Sequence, residues 1–71
     1  MPFEIEIFAV RLRELRAKHG LNVSKLGYAL NIEPSLISKW ELEKSVPRVE
    51  RIYELAKFFN VTAGYLIGLE D

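Results

Sequence analysis

The stretch from Asn22 to Lys44, NVSKLGYALNIEPSLISKWELEK, constrains this chain more than any other part. It reads as two short amphipathic helices separated by one turn residue, Asn31. Leu26 and Leu30 recur at one turn's spacing in the first helix, as do Ile37 and Trp40 in the second. Gly27 and Ala29 are small, so the second helix can cross closely over the first. A helix held this way by its back face leaves Ser35, Leu36 and Lys39 on its outer face for a partner. The punctuation agrees. Asn31 is the residue after glycine that best tolerates left-handed backbone geometry. Pro34 suits a first helical turn, where its missing N–H would be unpaired anyway.

The flanking segments are helical too. Phe8, Leu12 and Leu15 follow i, i+4, i+7, with Arg11, Arg13, Glu14, Arg16 and Lys18 between them. Gly20 ends that helix, and Asn22 caps the next. Beyond Pro47, the residues Val49, Ile52, Ala56 and Phe59 form a helical stripe with Leu55 on its flank. Asn60 stops it, Thr62 caps a last short helix from Ala63 to Ile67, and Gly68 ends that. The expected architecture is all-α: one compact five-helix domain over residues 1–71. Residues 1–6 read as an N-terminal extension, irregular or a strand, because Phe3, Ile5 and Ile7 alternate with Glu4 and Glu6. Ile5, Phe8 and Leu12 equally fit a helical period.

Composition narrows the function classes. A chain of 71 residues holds one core. Without cysteine there is neither a disulfide framework nor a thiolate metal site. His19 has no second ligand nearby, and its bland reading is a cation at a helix end. No nucleophile–base or metal-ligand constellation exists, so an enzyme, a cofactor, a metal and a small-molecule substrate are not expected. No apolar run is long enough to span a membrane, and Glu4 and Glu6 stand where a signal peptide carries positive charge; a cytoplasmic protein is the expectation. Net charge is zero, but all ten lysines and arginines lie between Phe8 and Leu69, with only six of the ten acids. That distribution permits a polyanionic partner without requiring one.

Phe8–Arg16 (FAVRLRELR), the Leu26-Gly27 pair, Ile37-Ser38-Lys39-Trp40-Glu41, Pro47 six residues after that Glu, and the tail LAKFFNVTAGYLIGLED occur in order. Together they resemble the lambda-repressor-like (Cro/CI-type) helix-turn-helix DNA-binding family, in particular phage and prophage repressors. The resemblance covers roughly Phe8 to Glu70. It implies a helix-turn-helix made by the second and third helices, and a transcriptional regulator that binds operator double-stranded DNA as a homodimer. The third helix would enter the major groove.

The resemblance also assigns roles. It pairs Arg16 with Glu41 in a salt bridge and lets Arg16 reach a DNA phosphate. Gly27 takes the small position against which the following helix packs. Lys39 can donate to guanine, Ser35 can meet base or phosphate, and Leu36 can touch a thymine methyl. Phosphate contacts are expected from Asn22, Lys44 and Arg48. Tyr65, Leu66 and Leu69 are candidates for the dimer interface, because relatives often dimerise through the last helix. Trp40 is expected in the core.

Departures from the family pattern stand beside these matches. Val23 replaces a phosphate-contacting Gln, Glu33 replaces the capping Ser or Thr of the third helix, and Pro34 occupies the first reading position. Glu43 stands where a Gly is usual. Such changes leave a second reading open, in which the fold serves as a protein-interaction module with weak or no DNA binding.

Overall fold

The computed structural model describes residues 4–71, and those residues form five α-helices and no strand. They are α1 (Ile5–Lys18), α2 (Val23–Leu30), α3 (Pro34–Glu41), α4 (Val49–Phe59) and α5 (Ala63–Ile67). Helix α1 starts earlier than the sequence pattern indicated. Ile5 and Glu6, assigned to an irregular or strand-like extension, are helical; residues 1–3 of that extension lie outside the described residues. The helical period wins because Phe8 and Leu12 are fully buried and Ile5 packs against the same core.

Each helix contributes to one core. Phe8, Leu12, Leu26, Ile37, Trp40, Leu55 and Leu66 are its fully buried large side chains. The Trp40 and Phe8 rings meet edge to face with centroids 6.2 Å apart, a favoured aromatic geometry. In α4 the buried stripe is Ile52, Leu55, Ala56 and Phe59. Val49, placed in that stripe by its spacing, is instead 74% exposed, and Leu55, placed on the flank, is fully buried. The first turn of α4 projects past the core, so the helix turns its apolar stripe inward only from Ile52 onward.

All five helices end in the same closure. The N–H of Leu21, Ile32, Lys44, Val61 and Leu69 bonds the carbonyl five residues back, at 2.8–3.0 Å. The residue before each is left-handed: Gly20, Asn31, Glu43, Asn60 and Gly68, with φ between 57° and 89°. This is the Schellman arrangement, which satisfies carbonyls that a helix end would otherwise leave unpaired. Four of the five residues are the glycines and asparagines that announce such a turn. Glu43 is not, and an L-residue with a Cβ in this region carries a penalty of about 1–2 kcal/mol.

Two helix starts are capped by side chains. Asn22 Oδ1 accepts from the Lys25 N–H at 2.8 Å. Thr62 Oγ1 accepts from the Tyr65 N–H and donates to Glu70 Oε1, both at 2.9 Å. Helix α3 has no such cap, since the Glu33 side chain makes no capping bond.

Gly27 sets the turn between α2 and α3. A Cβ there would lie 2.4 Å from the Ile32 carbonyl oxygen and 3.2 Å from Pro34 Cγ. The chain can therefore fold back tightly on α2, which fixes where α3 lies. At the opposite end, Arg11 clasps the C-terminus to α1. Its guanidinium donates to the carbonyls of Tyr65 and Glu70 and lies over the Tyr65 ring, 4.2 Å from the centroid.

Candidate nucleic-acid interface

Helix α3 is held by one face. Ile37 and Trp40 are buried, so at 100° per residue the opposite ridge carries Ser35, Lys39 and Leu42. Ser35 and Lys39 are exposed, and Leu42, which closes the helix, is 64% exposed. The ridge therefore presents a hydroxyl, an ammonium and an apolar side chain in a row. This is a set able to hydrogen-bond base edges and contact a methyl group.

Leu36 does not belong to that row. It is half-buried, packs against the core, and forms a wall shared by two clefts that open toward α4. Arg51 lines both clefts, and Arg48 lines the one nearer Pro47. Leu42 takes the apolar place on the ridge that Leu36 was expected to fill. Its sequence signal is the i, i+4, i+7 spacing of Ser35, Lys39 and Leu42, which continues one residue beyond Glu41.

The Arg16–Glu41 pair forms. Arg16 Nε donates to Glu41 Oε2 at 2.6 Å and a terminal nitrogen donates to Oε1 at 2.9 Å, a bidentate fork. The other terminal nitrogen donates to the Leu21 carbonyl at 3.0 Å. Hydrogen bonding to Glu41, opposed by partial desolvation and reinforced by the carboxylate's charge, raises the Arg16 pKa above its ordinary value. The fork ties the end of α3 to α1 and to the turn before α2. It also occupies three of the five guanidinium N–H groups, leaving two for a phosphate.

The other expected phosphate contacts sit around α3. Asn22 is exposed at the start of α2, and its side-chain oxygen caps the helix. Lys44 follows the left-handed Glu43, and Arg48 occupies the N-cap position of α4. Lys39, Lys44 and Arg48 are exposed and form no ion pair among the described residues. Glu33 and Glu43 bracket the ends of α3 and are exposed as well.

The C-terminal residues assigned to a dimer interface separate. Leu66 is fully buried and belongs to the core, which removes it from any interface. Tyr65 is half-buried beneath Arg11, and only Leu69 is well exposed, at 57%. The reason is the Arg11 clasp, which turns α5 onto α1. Among the described residues no group of three His, Cys, Asp or Glu side chains is placed to hold a metal. No helix of theirs is long and apolar enough to cross a membrane.

Residues 9–71 match the family described as helix-turn-helix domain. The chain belongs to the helix-turn-helix domain family. The match bears out the resemblance drawn from the motifs. Relatives include the 26 kDa repressor protein of Escherichia phage HK022, 36% identical over 96% of this chain and 31% of its own length. Another is an uncharacterized HTH-type transcriptional regulator of Bacillus subtilis (strain 168), 31% identical over 92% of this chain and 58% of that protein. A third is the HTH-type transcriptional activator BcrR of Enterococcus faecalis, 34% identical over 90% of this chain and 31% of that protein. The chain thus spans between 31% and 58% of the length of these relatives. Among solved structures, the SOS-response transcriptional repressor LexA from Eubacterium rectale superposes with a TM-score of 0.82 at 25% identity, covering all of this chain and 76% of that one.

Proposed function

We propose that this helix-turn-helix chain is a sequence-specific DNA-binding transcriptional regulator of repressor type, acting in the cytoplasm by occupying an operator. The observation that carries this reading is the exposed ridge Ser35–Lys39–Leu42 on a helix fixed from behind by Ile37, Trp40 and the Arg16–Glu41 fork. Ser35 and Lys39 read base edges. Asn22, Lys44 and Arg48, with the remaining N–H groups of Arg16, contact phosphates and set the register. Two copies related by a two-fold axis place α3 in successive major grooves about 34 Å apart. Repression then needs no chemistry, only occupation of the site. The name of one relative, a repressor protein, supports this direction of regulation, while another relative is named an activator.

Selection from random duplexes tests the reading. The expected product is an inverted repeat with half-sites about 10 base pairs apart, centre to centre. Absence of any enriched sequence overturns it. A second reading, a protein-interaction module, is favoured by exposed Glu33 and Glu43 at the two ends of α3 and by the zero net charge. Its signature is failure to bind any duplex even at low salt, where the phosphate term is largest.

A further inference from the structure

We propose that the solvent face of α4 is the docking surface for a second copy of this chain, packed antiparallel. This deepens the two-fold arrangement proposed above and rests on it for its purpose, though not for its geometry. Val46, Val49 and Tyr53 are 62%, 74% and 60% exposed. Scattered exposed apolar residues are ordinary, but Val49 and Tyr53 lie four residues apart on one side of α4, and Val46 is exposed in the loop before it.

Charge selects the occupant. Glu50 opens that face and Lys57, two turns later, closes it. Neither forms an ion pair among the described residues; Lys57 Nζ instead lies over the Tyr53 ring, 5.3 Å from its centroid. An antiparallel copy centred at Tyr53–Glu54 sets Glu50 against Lys57 of the second copy, and by symmetry does so twice. A parallel copy would set like charge against like. With 11 residues, α4 is only about 16 Å long, so the contact falls below standard interface size and gives a weak, rapidly exchanging dimer that a thiol at its centre can trap.

The chain has no cysteine, so Tyr53→Cys introduces a single thiol at an exposed position. Helices packed 8–10 Å apart, with Cα atoms about 2.3 Å from each axis, bring the two Cα atoms to roughly 4–6 Å, within disulfide range. Under mild oxidation of the free protein, Tyr53→Cys is expected to form a covalent dimer at least about tenfold faster than Leu69→Cys, its C-terminal counterpart. Adding Lys57→Glu to Tyr53→Cys slows the reaction about fivefold, and adding Glu50→Lys as well restores it. Equal rates for the two cysteine variants, no cross-link at either, or failure of the double reversal to restore the rate overturns the proposal. No DNA is present in this assay. Its failure therefore leaves the α3 reading intact, and failure of the duplex selection leaves this interface intact.

Discussion

Replacing Glu43 by glycine should stabilise this protein, and the structure sets the size of the effect. Glu43 has φ of 63°, and the next N–H closes α3 by bonding the Lys39 carbonyl at 2.8 Å. A side chain bearing a Cβ carries about 1–2 kcal/mol in this region, which glycine avoids. Glycine returns up to ~1 kcal/mol of that through its greater freedom in the unfolded chain. The side chain is exposed and makes no hydrogen bond or ion pair among the described residues, so nothing else is lost. The net expectation is a gain of about 0.5–1 kcal/mol, or ~2–8 °C in Tm for a domain of this size. Thermal and urea denaturation followed by circular dichroism measures it. Glu43→Ala is the control: it removes the charge, keeps the Cβ, and should leave Tm within about 2 °C of the parent. An equal rise in both variants would show that charge rather than backbone geometry is responsible, and a fall in Glu43→Gly would refute the argument outright.

Gly27→Ala should destabilise despite alanine's helix preference of about 1 kcal/mol, because its Cβ lies 2.4 Å from the Ile32 carbonyl oxygen and the turn must open. The expected loss is ~1–3 kcal/mol in urea denaturation, with weaker duplex binding as α3 shifts; a gain in stability contradicts the account of the turn. Arg16→Ala and Glu41→Ala should each lose about 1–3 kcal/mol, between the values for exposed and buried pairs, since the side chains are 20% and 10% exposed. A double-mutant cycle showing no coupling would be the contrary result. Because hydrogen bonding to Glu41 raises the Arg16 pKa, its stabilisation is complete below arginine's ordinary range and is lost only above it. The Arg16→Ala loss should therefore be the same at about pH 6 and about pH 9. In duplex binding, Arg48→Ala should reduce the salt slope by about 1; an unchanged slope removes Arg48 from the phosphate contacts.

Much of the fold was legible because local signals and the core pattern agree. Gly20, Asn31, Asn60 and Gly68 each mark a helix end that the structure places there. Ile37 and Trp40, three apart, proved to be the anchored face of α3. The misses have distinct physical origins. Glutamate carries no turn signal of its own; the family's usual Gly at that position was the one hint, and the closing bond from Lys44 to Lys39 shows Glu43 to be left-handed. Val49 fits the stripe of α4 by spacing, yet periodicity cannot tell that the first turn overhangs the core. Leu66 and Tyr65 were assigned outward because nothing in the sequence reveals that Arg11, more than fifty residues earlier, donates to backbone carbonyls at the chain end. The Arg16–Glu41 fork came from family resemblance and not from spacing. Leu36 exchanged places with Leu42 because its angle on the helix turns it toward α4.

The central claim is that the ridge of α3 faces DNA, and amide chemical-shift mapping during titration with a selected duplex tests it most directly. The account predicts that the largest shifts fall on Ser35, Lys39 and Leu42, with Asn22, Lys44 and Arg48 around them. Val10, on the far side of α1, should remain still. Shifts centred on α1 or α5 with the α3 ridge unmoved would contradict it.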